Sequence, residues 1–229
     1  MPVMWLSPTQ IYFPHSDTFD TPDVVAVGGD LSPERLLLAY SLGIFPWYNE
    51  ADEPIMWWCP DPRLVLYPDE LKVSKSMRPF FNQEKFKVTY NVDFQRVMRT
   101  CMLNDRKDQE GGSWINEDMI VAYTMLHKAG FAHSVEVWEG EELVGGLYGV
   151  AYGRIFYGES MFSKVSNASK FGFISFVQKI KDMGIELIDC QQETAHLSSL
   201  GARVISRDLF LESIKKNENA PQILRGQLF

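Results

Sequence analysis

Asp189 and Gln191 stand two residues apart at the end of the short apolar run Leu187-Ile188. Residues two apart in an extended chain share a face, so a carboxylate and an amide would address one pocket. Polar groups at the end of a buried strand are expensive to desolvate unless hydrogen-bonded. Two uses are open: a functional pair, or an Asp189 that caps the following helix beside a Gln191 that satisfies a loop. Upstream, Gly158-Glu159-Ser160-Met161-Phe162-Ser163 closes another strand with a second carboxylate. Aromatic residues are abundant, with 15 Phe, 9 Tyr and 6 Trp. They crowd beside prolines in Ile44-Phe45-Pro46-Trp47-Tyr48-Asn49 and Ile55-Met56-Trp57-Trp58. Such clusters either plug a small core or offer a platform for a nucleobase, each stack being worth about 1–3 kcal/mol. Lys72, Lys75 and Arg78 recur at three-residue spacing, which would set them on one helix face, either solvated or facing a polyanion.

Other chemistries are poorly served. Gly28-Gly29-Asp30 has a glycine pair but no GxGxxG or GKS pattern, so a nucleotide loop is not expected there. The three cysteines, Cys59, Cys101 and Cys190, are scattered and form neither a CxxC metal site nor a disulfide framework. His127 is accounted for as a cation at a helix end. A net charge of −8 argues against nonspecific coating of nucleic acid and leaves room only for a local basic patch. No run approaches a membrane span, and Met1-Pro2-Val3-Met4-Trp5 lacks a basic region followed by an apolar one. A reduced, cytoplasmic protein with no membrane partner is expected.

Those residues need elements to hold them. Ser32-Pro33 starts a helix that Gly43 ends. Pro60 and Pro62 mark a boundary between a small N-terminal domain, residues 1–62, and a larger one, residues 63–229. Arg63 to Tyr67 and the alternating Phe86, Val88, Tyr90 read as strands. Phe94 to Leu103 has helical spacing, Asn104 to Gly112 is a loop, and Asn116 caps a helix stopped by Gly130. From His133 an antiparallel meander runs through Leu143–Val150 and Arg154–Tyr157; glycines inside its middle strand mark a close approach of backbone or ligand. A helix from about Ser169 to Met183 carries Phe173, Phe176, Val177 and Ile180 on one stripe, Gly184 stops it, and the Asp189 strand follows. Arg203 to Ile205 reads as a strand, and the tail around Pro221, Leu224 and Arg225 as loosely attached. Meander, loop, helix and polar-tipped strand is the order seen in acyltransferases of the GNAT type. The expected fold is therefore α+β, with a mixed, mostly antiparallel sheet flanked by helices. The loop Ser163 to Ser169 lacks the glycine pair of an acetyl-CoA site.

Several stretches together carry a more specific resemblance. Gly28-Gly29-Asp30-Leu31-Ser32-Pro33-Glu34-Arg35-Leu36, Gly43-Ile44-Phe45-Pro46-Trp47, Trp57-Trp58-Cys59-Pro60-Asp61-Pro62-Arg63, Ser113-Trp114-Ile115, His133 to Trp138, Leu143-Val144-Gly145-Gly146, Gly158 to Ser163 and Leu187-Ile188-Asp189-Cys190-Gln191 follow in order from about residue 11 to 206. They resemble leucyl/phenylalanyl-tRNA–protein transferases. The resemblance implies transfer of leucine, phenylalanine or, less well, methionine from aminoacyl-tRNA to an N-terminal Arg or Lys, marking the acceptor for degradation, by a monomer without cofactor or metal. It implies that Trp47 and Trp114, with Tyr40, bind the terminal adenosine. The donor side chain would enter a pocket of Leu147, Phe156, Ser163, Phe173, Phe176 and Ile188. Glu159 would meet the basic acceptor residue or its amine, and Asp189 would raise the electron density of Gln191, which takes the amine proton. Lys72, Lys75 and Arg78 would touch the tRNA backbone. Two other functions fit the same residues: an acyl-CoA N-acyltransferase, disfavoured by the missing loop, and a non-catalytic reader of basic N-termini. The family often carries a longer, Pro-containing tail, so tail contacts are not carried over to a chain that ends at Phe229.

Overall fold

The computed structural model describes residues 3–16, 19, 23–48, 54–83, 85–104 and 113–226. The Thr21-Pro22 turn, the turn after Tyr48 and most of the loop expected at 104–112 lie outside them. Strands β1 (Met4–Leu6), β2 (Val24–Gly28), β3 (Phe45–Pro46) and β4 (Met56–Trp58) form a small sheet in the order β1-β2-β4-β3. Helix α1 (Pro33–Ser41) leads into β3 and begins as expected. The Ser32 side chain accepts from the Arg35 N–H, and Pro33 takes a position whose missing donor costs nothing.

The larger sheet is built from β5 (Arg63–Leu66), β6 (Lys87–Tyr90), β7 (Ala132–Glu139), β8 (Glu142–Tyr152), β9 (Ile155–Ser163), β10 (Leu187–Gln191) and β11 (Arg203–Ile205), in the order β11-β5-β10-β9-β8-β7-β6. Only β9 and β10 run parallel; the other neighbours are antiparallel. The mixed, mostly antiparallel sheet flanked by helices is thus the one expected. Helices α3 (Phe94–Leu103) and α4 (Glu117–Lys128) cover one face, and α5 (Ala168–Asp182), the crossover from β9 to β10, covers the other. The core under α3 and α4 is continuous with the small sheet, since Leu36, Tyr40, Trp57, Val97, Tyr123 and Tyr157 share one apolar cluster. The α5 side is a second cluster, of Val135, Leu147, Phe156, Phe173, Phe176 and Ile188.

Two local expectations fail. Lys72, Lys75 and Arg78 do not share a helix face. The chain is extended to Ser74, makes a 3₁₀ turn at Lys75–Met77, and only then starts α2 (Arg78–Asn82), because Pro79 fits a first turn and not a helix interior. All three remain exposed. The tail is not loose either. After α6 (Ala195–Ser199) and α7 (Arg207–Asn217) it folds back, the Gly153 N–H donating to Gln222 Oε1 at 2.8 Å and Leu224 ending 1% exposed. Leu224 buries apolar area that the polar composition around it concealed.

The feature that organises the site is where pairing stops. β9 and β10 are joined from Leu187–Ile155 to Asp189–Tyr157 and no further. Beyond that point β9 continues to Ser163 against β8 alone, while β10 breaks register against β5 between Asp189 and Gln191. A crevice opens between the carboxyl ends of the parallel pair, where open sheets commonly take ligands.

Candidate active site

The crevice widens into a cleft of about 500 Å³, within the usual range for a small-molecule site. Glu159 and Ser160 from β9 and Asp189, Cys190 and Gln191 from β10 form its lips. Trp47 and Trp114 stand at its wall, and Leu147, Phe156, Phe173 and Ile188 line its apolar part. Both tryptophans are half-buried. The Trp47 indole lies 5.2 Å from that of Trp58, whose Nε1–H donates to the Trp47 carbonyl at 2.7 Å, fixing the loop. Ser163 lines the cleft and accepts from the Ser169 N–H at 3.2 Å, so it also shapes the start of α5.

Asp189 is not a helix cap; Thr194 caps α6. The Asp189 carboxylate is fully buried against Arg63, whose Nε–H donates to Oδ1 at 2.8 Å and Nη2–H to Oδ2 at 2.6 Å. Arg63 is itself 0% exposed, donates to the Gly43 carbonyl at 3.1 Å and lies between the rings of Phe45 and Phe210. Burial pulls the guanidinium pKa down, but the Asp189 charge and hydrogen bonds more than offset this and leave it above its ordinary value. Asp189 Oδ1 also accepts the backbone N–H of Gln191 at 2.9 Å. That bond holds Gln191 at φ +62°, a left-handed backbone that a glutamine adopts at a cost of about 1–3 kcal/mol.

The Gln191 side chain turns to the other carboxylate, its Nε2–H donating to Glu159 Oε1 at 3.4 Å. Glu159 is 7% exposed, and Oε1 accepts the Tyr40 hydroxyl at 2.7 Å while Oε2 lies 3.4 Å from the Tyr123 hydroxyl. Those two hydroxyls are 2.5 Å apart. Burial pushes the Glu159 carboxyl up to about 8; the Tyr40 hydrogen bond pulls against this and the Asp189 charge adds to the rise. For Tyr40 and Tyr123, burial and then the Glu159 charge lift both phenols well above their ordinary value. They are neutral donors.

The structure therefore brings Glu159, Asp189 and Gln191 together with Trp47, Trp114 and most of the apolar set. It places Tyr40 and Phe176 elsewhere. Tyr40 is 0% exposed with its hydroxyl on Glu159, so it holds that carboxylate and shows no face to the cleft. Phe176 lies behind the wall, edge-on to Phe156 at 4.6 Å. Arg63 and Tyr123 are additional participants. An arginine heading the otherwise apolar run Arg63-Leu64-Val65-Leu66 was the available signal for the first, because a buried cation requires a partner. Nothing in its helical stripe distinguished Tyr123. Among the described residues no cluster of His, Cys, Asp and Glu could hold a metal ion.

Residues 29–61 match the model for the leucyl/phenylalanyl-tRNA protein transferase N-terminal domain, and residues 65–215 match that for leucyl/phenylalanyl-tRNA protein transferase itself. The chain is 52% identical over 218 residues to the leucyl/phenylalanyl-tRNA–protein transferase of Nitrosospira multiformis, covering 95% of this chain and 93% of that one. It is 50% identical over 219 residues to the Pseudomonas aeruginosa transferase, covering 95% and 96%. Among solved structures it is similar to L-PGS from Bacillus licheniformis, at 13% identity and TM-score 0.41 over 69% of this chain and 51% of that one. It is also similar to a GCN5-related N-acetyltransferase from Kribbella flavida, at 11% identity and TM-score 0.37 over 70% and 56%.

Proposed function

The chain belongs to the leucyl/phenylalanyl-tRNA–protein transferase family and is an aminoacyltransferase, and from that premise we propose that it moves leucine or phenylalanine, and less well methionine, from aminoacyl-tRNA to the N-terminal Arg or Lys of acceptor proteins. The product is marked for degradation by its new N-terminal residue. The observation that carries this is the meeting of Glu159 and Gln191, on an Asp189–Arg63 support, at the edge of an apolar cleft walled by two tryptophans. The terminal adenine stacks on Trp47 and Trp114. The donor side chain enters among Leu147, Phe156, Phe173 and Ile188. Such a pocket separates side chains one methylene apart by only about 1–3 kcal/mol, which admits methionine.

The chemistry is aminolysis of an activated ester. The acceptor nitrogen bonds to the ester carbon, the bond from that carbon to the ribose oxygen breaks, and one proton passes from nitrogen to the departing oxygen. An α-amine has a pKa of about 7.7–8.0, and a proton acceptor is most effective when matched to its task. Glu159, at about 8, is matched to it; an amide oxygen is a far weaker base. In this reading Glu159 takes the amine proton in its ionised form, a minority below about pH 8, while Gln191 orients the amine through its side-chain oxygen. The Asp189–Arg63 pair fixes Gln191, acting on its backbone N–H and not on its amide. The reaction takes place in the cytoplasm, on a monomer, with Lys72, Lys75 and Arg78 touching the tRNA backbone.

Incubation with radiolabelled Phe-tRNA and a peptide beginning with Arg or Lys tests the proposal. Label is expected in the peptide, and its absence would sink the transferase reading. Transfer from acetyl-CoA instead would make the protein an acyl-CoA enzyme, and peptide binding without turnover would make it a reader of basic N-termini.

A further inference from the structure

Glycine inside a strand weakens it and marks either tight packing or the approach of a ligand. Three glycines of β8 have packing reasons. A Cβ would lie 2.9 Å from the Ala168 Cβ at Gly145, 2.8 Å from the Val135 carbonyl oxygen at Gly146, and 2.2 Å from the Tyr157 carbonyl oxygen at Gly149. Gly158 in β9 has no such reason. Its backbone is not left-handed. A Cβ there would meet one described atom within 4 Å, the Asp189 carbonyl oxygen at 3.5 Å, an ordinary contact. Yet Gly158 sits one residue past the last β9–β10 pair, lines the cleft and adjoins Glu159.

Resting on the transferase reading above, we propose that Gly158 is a specificity-determining residue whose missing side chain makes room for the donor's aminoacyl group. The bare backbone is the floor on which that group lies. The ester is then held within reach of Glu159 and Gln191, and the side chain runs over Phe156 and Ile188. A methyl on Gly158 occupies the donor's place without disturbing the protein.

The test compares the intact protein with Gly158→Ala in three measurements: thermal unfolding, transfer from Phe-tRNA and Met-tRNA to an Arg-initiated peptide, and calorimetric binding of the unreactive amide 3′-phenylalanylamido-adenosine. The variant is expected to unfold at or above the temperature of the unaltered protein, because alanine costs a strand less than glycine. Its kcat/KM for Phe-tRNA should fall by about tenfold or more, with matching loss of amide binding and a smaller loss for the flexible methionyl donor. A lowered unfolding temperature would overturn the proposal by making Gly158 a packing residue. Unchanged kinetics and binding at an unchanged unfolding temperature would overturn it equally. Absence of transfer by the unaltered protein would instead remove the transferase reading, and this assignment with it.

Discussion

Replacing Arg63 by Met takes the guanidinium from a carboxylate that has no solvent to turn to, since Asp189 is 0% exposed. Breaking a buried pair from one side costs about 3–5 kcal/mol, because the remaining charge is left uncompensated. Asp189→Leu strands the guanidinium and costs a similar amount. If the two losses were independent, the double variant would be about 6–10 kcal/mol less stable, comparable to the whole stability of a typical domain. The ion pair predicts otherwise. With both charges gone, what remains lost is the Arg63 bond to the Gly43 carbonyl, its contacts with Phe45 and Phe210, and the Gln191 N–H bond to Asp189, about 2–5 kcal/mol together. Taking the middle of each range, about 8 against about 3.5 kcal/mol, a coupling of about 4 kcal/mol should therefore appear in a double-mutant cycle. In urea, where the slope is about 1–3 kcal/mol per molar, that separates the observed midpoint of the double variant from the additive one by about 1 M or more. Transfer should stay low in all three variants, because Gln191 has either lost its Oδ1 acceptor or sits beside a displaced one. Additive stabilities would refute the assignment of the pair as one buried unit. Recovery of transfer in the double variant would refute its role in holding Gln191.

Glu159→Gln should change the pH dependence of stability. A carboxyl raised from about 4.3 to about 8 stays protonated in the folded chain while the unfolded chain ionises, so it erodes stability between those pH values and no further above them. The variant should therefore lose that slope in urea titrations from pH 5 to 9; a slope identical to that of the unaltered protein would count against the shift. Trp47→Ala should raise KM for aminoacyl-tRNA by about 5- to 150-fold, the worth of one base stack, with kcat little altered, and an unchanged KM would discard the stacking role. Neutralising Lys72, Lys75 and Arg78 to Gln should reduce the salt slope of tRNA binding by up to about 3; an unchanged slope would mean that the polyanion lies elsewhere.

Much of the architecture was legible because local signals agreed with it. Ser32-Pro33 started α1, the alternation from His133 gave the meander, and Gly184 separated α5 from β10. The carboxylates were legible as polar groups at strand ends. Their partners were not, because pairing of Arg63 with Asp189 spans 126 positions, and no local period records a contact of that length. The same limit hid the division of labour between the carboxylates. Spacing put Asp189 and Gln191 on one face, but the left-handed turn at Gln191 carries its side chain to Glu159 and leaves Asp189 with the backbone. The resemblance offers Tyr40 as an adenosine contact, and no local signal marks it as a fully buried donor to Glu159. The tail misled for the opposite reason: its apolar residues are few, yet Leu224 finds a seat.

The separation of Arg63 from Asp189 also orders events during synthesis. At about 5–20 residues per second, the ribosome takes about 6–25 s to add the 126 positions between them. Through that interval the segment holding both tryptophan-rich loops has emerged, but the arginine at its margin lacks its counter-charge and must stay hydrated. The segments around Gly43 and Cys59 therefore cannot seat against α7 as they do in the finished molecule. In the proposed reading, the growing chain holds both stacking tryptophans, Trp47 and Trp114, before it holds the strand that carries Asp189 and Gln191. Chains cut before Leu187 should be cleaved readily by protease near Arg63, where the complete chain resists.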